Sequence, residues 1–214
     1  MCIRRNYMHS ILIANPKGGS GKTTLATNLA GYLAQQNHRV VMLDLDQQKS
    51  SLDWLSLRAH ELPSISGIGS ERELSKGDME GIDWLVLDSP AGMQGKELVQ
   101  ALKLANKVIV PVQPSVFDMV AARDFINRLA EERTIQRKKS FIGIVGMRVD
   151  PRTRVASTLE QFLLQYNLPI ITYLRDTKVY ANAAFNGKSI FDLPFHQAEQ
   201  ELIQWKALTQ WLKS

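Results

Sequence analysis

Short runs of apolar residues, none approaching the roughly 18 of a membrane span, alternate along the chain with stretches whose apolar positions recur at three- and four-residue spacing. Runs bounded by glycine, proline or acidic residues are the pattern of strands buried on both faces, and the longer spacing is that of helices with one buried side. Strands are predicted at 11–14, 40–44, 84–88, 108–112, 141–147 and 169–173, with a weaker one at 65–68. Helices are predicted at 23–36, 51–60, 96–105, 116–133, 155–166 and 197–213. The alternation predicts an α/β fold, a doubly wound and mostly parallel sheet with helices on both faces, as one domain over 1–214. The residues before Met8 read as a short flexible extension.

Between the first strand and the first helix stands Lys17-Gly18-Gly19-Ser20-Gly21-Lys22-Thr23-Thr24. A glycine-rich turn entering a helix N-terminus lets backbone N–H groups converge on an anion. Lys22 can then reach terminal phosphates, and the Thr23 hydroxyl is placed to hold Mg²⁺. The usual loop, G-x-x-x-x-G-K-S/T, has a glycine where this chain has Pro16, and here a second lysine, Lys17, opens the loop. Two lysines in a partly desolvated pocket repel each other, so Lys17 needs a target of its own. The spelling resembles the deviant Walker A box of the ParA/MinD ATPases. That resemblance implies that Lys17 crosses a dimer interface to the neighbouring subunit's nucleotide.

The strand at 40–44 ends in Asp44-Leu45-Asp46, two carboxylates on the same side of an extended chain. At the carboxyl edge of a parallel sheet they face the crevice of the phosphate loop. The segment resembles the family's Walker A′ motif, DxDPQ, with Gln47 in place of the proline, which leaves the turn after Asp46 less constrained. By that resemblance Asp46 orients the attacking water and Asp44 stands behind Mg²⁺. Trp84-Leu85-Val86-Leu87-Asp88 delivers a third carboxylate and then breaks at Pro90 and Gly92. Such an aspartate can serve a metal or cap a helix; third in order after the other two motifs, Asp88 resembles the Walker B aspartate that holds Mg²⁺.

Val108-Ile109-Val110-Pro111-Val112-Gln113-Pro114-Ser115 resembles the family's PVQPS stretch, whose loop lies along the nucleotide base, so Pro111 and Gln113 are expected there. Arg148, after the strand at 141–147, occupies a place where members contact the base or approach the dimer seam. Asn106-Lys107-Val108-Ile109 begins like the guanine-reading NKxD signature but lacks its carboxylate, which favours ATP over GTP. Farther on, Arg175 and the small-residue stretch through Gly187-Lys188-Ser189 resemble the C-terminal pattern of short ParA proteins of the Soj and ParF kind.

Of 214 residues 44% are hydrophobic and 22% charged, enough for one sizeable core. Cys2 is the single cysteine, so no disulfide framework or paired-cysteine cluster site can be built within one chain. A cytoplasmic setting is expected. The net charge of +5 and a pI near 9.3 point to a polyanionic partner. ParA dimers bind DNA without sequence preference through basic residues of the C-terminal half, and that resemblance nominates Arg152, Arg154, Arg175 and Lys178. The basic run at 133–139 reads as hydrated surface instead. Leu202, Trp205, Leu208 and Leu212 recur at helical spacing beside a weakly basic polar face, which predicts core packing over a membrane anchor. In sum the resemblance implies an ATP- and Mg²⁺-dependent ATPase of slow basal turnover, a nucleoid-associated homodimer when ATP-bound. It implies two partners, non-specific DNA and a ParB-like or cargo-adaptor protein that stimulates hydrolysis. A MinD-like membrane-positioning ATPase and a DNA-transfer accessory protein of the same fold remain the alternatives.

Overall fold

The computed structural model describes residues 9–70, 81–132, 135, 141–166 and 168–213. Strands and helices follow one another as β1 (His9–Ile13), α1 (Lys22–Gln35), β2 (Val40–Asp44), α2 (Ser50–Ser56), β3 (Ser66–Ile68), β4 (Trp84–Asp88), α3 (Gly95–Leu104), β5 (Lys107–Val112), α4 (Val116–Glu131), β6 (Phe141–Gly146), α5 (Arg154–Leu163), β7 (Ile170–Tyr173), α6 (Val179–Ala184) and α7 (Phe195–Leu212). The seven strands form one sheet in the order β3-β2-β4-β1-β5-β6-β7, every pair parallel. Because β4 lies between β2 and β1, the chain runs outward from β1 in both directions, and the carboxyl ends of β1, β2 and β4 meet at one edge.

Alternate residues of the central strands feed two cores. Leu12, Leu43, Leu85, Leu87, Val108 and Val110 pack with α3, α4 and α5. Ile11, Ile13, Met42, Val86 and Ile109 pack with α1, Trp54 of α2, and α7. In α7, Trp205, Leu208 and Leu212 are buried while Ile203 is exposed, so its apolar face is spent on the sheet, at about 1.5–3 kcal/mol per fully buried side chain. No described helix is long and apolar enough to cross a membrane.

Four points bear on the sequence reading. The weak strand at 65–68 does form, as the sheet's short edge β3. The helix expected over 51–60 stops at Ser56: Arg58 turns back to Asp192, 2.8 Å away in a buried ion pair, and to the carbonyl of Gly187. Asp192 also accepts from Gln35 and Ser189; burial alone would raise its carboxyl pKa, but these donors and Arg58 hold it below the ordinary range. Third, α7 begins at Phe195, two residues ahead of expectation. Finally, Asn106 and Lys107 lie at the amino edge of β5, away from the phosphate loop, where Asn106 accepts from the Ser10 amide and hydroxyl. The N-terminal extension and, Ile135 apart, the basic run at 133–139 lie outside the described residues.

Gly187 sits at φ +61 with the backbone of Leu57 and Arg58 pressed where a Cβ would stand. Gly187→Ala therefore combines left-handed strain with a clash against main chain that has no rotamer to yield. It is expected to cost about 2–4 kcal/mol of unfolding free energy, read as a lower urea midpoint.

Candidate nucleotide site

The phosphate loop leaves β1 and enters α1 through two left-handed glycines, Gly19 at φ +73 and Gly21 at φ +98. Gly21 is the N-cap of α1, with no side-chain cap and no acidic residue in the first turn. The helix thus presents free amides and the positive end of its dipole to an incoming anion. A Cβ on Gly21 would stand 2.7 Å from Met147 Cε, a flexible side-chain end that can move, so it is the φ of +98 that calls for glycine here.

Two braces shape the loop. Asn15 Nδ2 donates to the Pro111 carbonyl at 2.7 Å, and its Oδ1 accepts from the Lys17 amide at 2.8 Å. Gln113 Nε2 donates to the Gly19 carbonyl. The two lysines part company. Lys22 is buried, with Nζ donating to the Lys17 carbonyl at 3.0 Å; burial lowers its pKa, against the raising pull of Asp88 and Asp46. Lys17 points away, its Nζ 2.6 Å from Asp118 Oδ2 in the first turn of α4.

The three carboxylates have different surroundings. Asp44 and Asp88 are register partners on adjacent strands, and both are buried. Asp44 is saturated: Oδ2 accepts from the Ser51 amide at 3.0 Å and hydroxyl at 2.7 Å, and Oδ1 accepts from the Asp46 amide at 2.9 Å. It therefore anchors the start of α2 and the turn carrying Asp46. Asp46 is half-buried, and its Oδ1 accepts from the Gln48 amide at 3.0 Å, an Asx turn that supplies the constraint the missing proline would have given. Asp88 is pushed up to about 7, chiefly by burial and further by Asp44 and Asp46, while a hydrogen bond from Thr23 and the charge of Lys22 pull it down.

Among the described residues, four buried side-chain polar atoms have no hydrogen-bond partner, and three of them, Ser20 Oγ, Asp88 Oδ1 and Ser89 Oγ, belong to this edge. Buried polar atoms left unpaired together mark the place of a polar ligand. An orphaned carboxylate oxygen beside a threonine hydroxyl and a buried lysine is the donor set that Mg²⁺ and polyphosphate need, so the residues fit both. Gly18 and Thr24 complete the loop; Thr24 also lines a hollow of about 170 Å³ with Gly21, Arg148, Asp176, Thr177 and Tyr180.

Arg148, at φ +54, stands at this hollow with its Nε 3.9 Å from Asp176. Pro111 and Gln113 do not line it; they brace the phosphate loop. The nominated DNA contacts all follow the carboxyl ends of the neighbouring strands β6 and β7, yet not all are at liberty. Arg175 is bound by Nε to Glu201 at 2.6 Å, and Glu201 is buried. Arg152 pairs with Asp150 at 2.9 Å and holds that carboxyl down to about 2. Arg154 opens α5 and Lys178 precedes α6.

Sequence reasoning assigned no role to Asn15, Ser51, Asp118 or Asp176. Two of these carried a signal: Asn15 precedes Pro16 as turn residues do, and Ser115-x-x-Asp118 is the spacing of a capping box.

Comparison with known proteins converges on one family. The family described as the CobQ/CobB/MinD/ParA nucleotide binding domain matches residues 11–190. The chain is 28% identical to the maintenance of carboxysome distribution protein A of Halothiobacillus neapolitanus, over 88% of this chain and 89% of the relative. It is 31% identical to the chromosome-partitioning ATPase Soj of Thermus thermophilus, over 73% of this chain and 76% of that one. The structure of apo McdA from Cyanothece superposes with a TM-score of 0.72 at 18% identity, covering 94% of this chain and 100% of that chain.

Proposed function

Because the chain belongs to the CobQ/CobB/MinD/ParA nucleotide-binding family and is a ParA/MinD-type ATPase, we propose that it is a dimeric positioning switch. In this reading two ATP-loaded subunits close on their nucleotides, the dimer holds nucleoid DNA without sequence preference, and a ParB-like or cargo-adaptor protein triggers hydrolysis and release. The observation that carries the reading is the divergence of the two loop lysines. Lys22 is turned into the phosphate site, and Lys17 is turned out of it toward Asp118, which leaves it no role at its own subunit's phosphates. The named roles of the relatives, carboxysome distribution and chromosome partitioning, support a positioning task, and the net charge of +5 supports a nucleic-acid track.

The chemistry assigned to this chain is positioning and charge neutralisation. The amides of 18–23 and Lys22 hold the phosphates. Asp46, fixed by its Asx turn, accepts a hydrogen bond from water and aligns it on the terminal phosphorus. Lys17 reaches across to the other subunit's nucleotide and meets the charge that develops there. Thr23 and Asp88, with Asp44 behind them, are the residues that would hold Mg²⁺, which neutralises phosphate charge when bound.

The test is binding of wild type and Asp46→Ala to a non-specific DNA duplex and to anionic liposomes, each with ATP or ADP. Binding to DNA with ATP only, strengthened in Asp46→Ala, is expected, with a steep loss as salt rises. Recruitment to liposomes without DNA binding would replace this reading with a membrane-positioning one, and a strong preference for one DNA sequence with a transfer-accessory one.

A further inference from the structure

The partner of Lys17 is unusually well built for a surface ion pair. Asp118 is 7% exposed while Lys17 is 37% exposed. Its amide donates to Ser115 Oγ at 3.2 Å, and the Ser115 hydroxyl donates back to the same Oδ2 that faces Lys17. The carboxylate also sits in the first turn of the 16-residue α4, where the helix dipole favours an anion. The acceptor is therefore fixed, whereas the donor is a four-carbon chain partly in water. Across the loop, Asn15 pins the Lys17 backbone to β5, so the lysine can swing only from its side chain.

We propose that Asp118 is a positioning residue that stores Lys17 against its own subunit, so that Lys17 reaches a second subunit's nucleotide only by exchanging this carboxylate for phosphate oxygens. The inference rests on the dimeric-switch reading above. The exchange happens twice per dimer. A triphosphate brings one more anionic group to the seam than a diphosphate does, so ATP offsets the cost of breaking the stored pair better than ADP does. Storage also removes the repulsion between Lys17 and Lys22 in the open subunit.

The experiment is a dimerisation titration by sedimentation equilibrium of the full chain with Mg²⁺ and AMPPNP, then with Mg²⁺ and ADP. Asp118→Asn keeps shape and capping but removes the charge. Since a partly shielded pair contributes a factor of about two to five, breaking two should tighten the AMPPNP dimer by about 4- to 25-fold, and a dimer should become detectable with ADP. Asp118→Glu should stay within about twofold of wild type. Placed on Lys17→Ala, Asp118→Asn should change nothing, because no lysine remains to be stored; a merely structural aspartate would shift both backgrounds alike. Thermal melting confirms that each variant is folded, and Ser115→Ala, which loosens Asp118 without altering charge, should move dimerisation in the same direction by less. An unchanged or weaker dimer in folded Asp118→Asn, or the same shift in the Lys17→Ala background, overturns storage while leaving the switch intact. Wild type that forms no dimer with AMPPNP overturns both.

Discussion

Asp46→Ala is expected to lower adaptor-stimulated ATP turnover by about 10²–10³-fold while ATP binding stays within a factor of about two. The two effects separate because of where Asp46 sits. It is half-buried at the end of the β2 turn, its charge is felt by both Lys22 and Asp88, and it makes no hydrogen bond to either. Its removal takes away the acceptor proposed to align water and leaves the loop amides, Lys22 and the Asn15 brace untouched. Losing one anion near the phosphates should even favour ATP slightly. Single-turnover hydrolysis alongside equilibrium binding of a fluorescent ATP analogue resolves the two quantities. Asp46→Asn is the sharper control, since its amide oxygen can still accept from the Gln48 N–H and keep the Asx turn. If Asp46→Asn hydrolyses ATP at the wild-type rate, the residue shapes the loop and does not serve water.

The parts of this protein that could be read from sequence are those whose physics is local. Leu85-Val86-Leu87 and Val108-Ile109-Val110 announce strands because a strand buried on both faces has no polar side to interrupt it. The same continuity hides which residue faces which core: nothing in the run Ile11-Leu12-Ile13 says that Leu12 packs toward α3 while its neighbours pack toward α1. The phosphate loop is legible for a similar reason, since glycines at φ +73 and +98 and a lysine at the helix start are properties of eight consecutive residues. What escapes the sequence is long-range. The end of α2 is set by Arg58 reaching Asp192, 134 residues on, and the resting place of Lys17 is set by Asp118, 101 residues on. Arg175 reads as a free cation until Glu201, 26 residues later, is brought beneath it by α7. Composition gives the charge of such residues but not who neutralises it.

Asp88→Asn should expose a conflict between stability and ligand binding that is built into the β4 edge. Buried beside its register partner Asp44, Asp88 has a carboxyl pKa raised from 3.8 to about 7. A raised carboxyl pKa means that the folded state binds more protons than the unfolded chain between those two values, so the ligand-free protein loses stability as pH rises. The contribution is full below about pH 4, declines through the interval, and is gone above about pH 7. An asparagine cannot ionise, so Asp88→Asn should be more stable than wild type by about 2–4 kcal/mol at pH 8. That advantage should shrink toward zero at pH 4–5, as read by urea unfolding at a series of pH values. A constant difference across the series would mean that Asp88 is not the titrating group. The cost appears on the ligand side. Asp88 Oδ1 has no partner among the described residues, and a charged oxygen kept in that state is useful only if a cation satisfies it. Mg²⁺ should therefore enhance ATP binding by wild type increasingly as pH rises through about 7, with a proton released on binding. The variant should lose about 10–100-fold of that enhancement and its pH dependence together. Calorimetric titration in two buffers of different ionisation enthalpy counts the proton. The edge is then understood as a carboxylate held away from its preferred charge state by the fold and returned to it by the ligand, which ties the empty subunit's instability to its readiness for ATP.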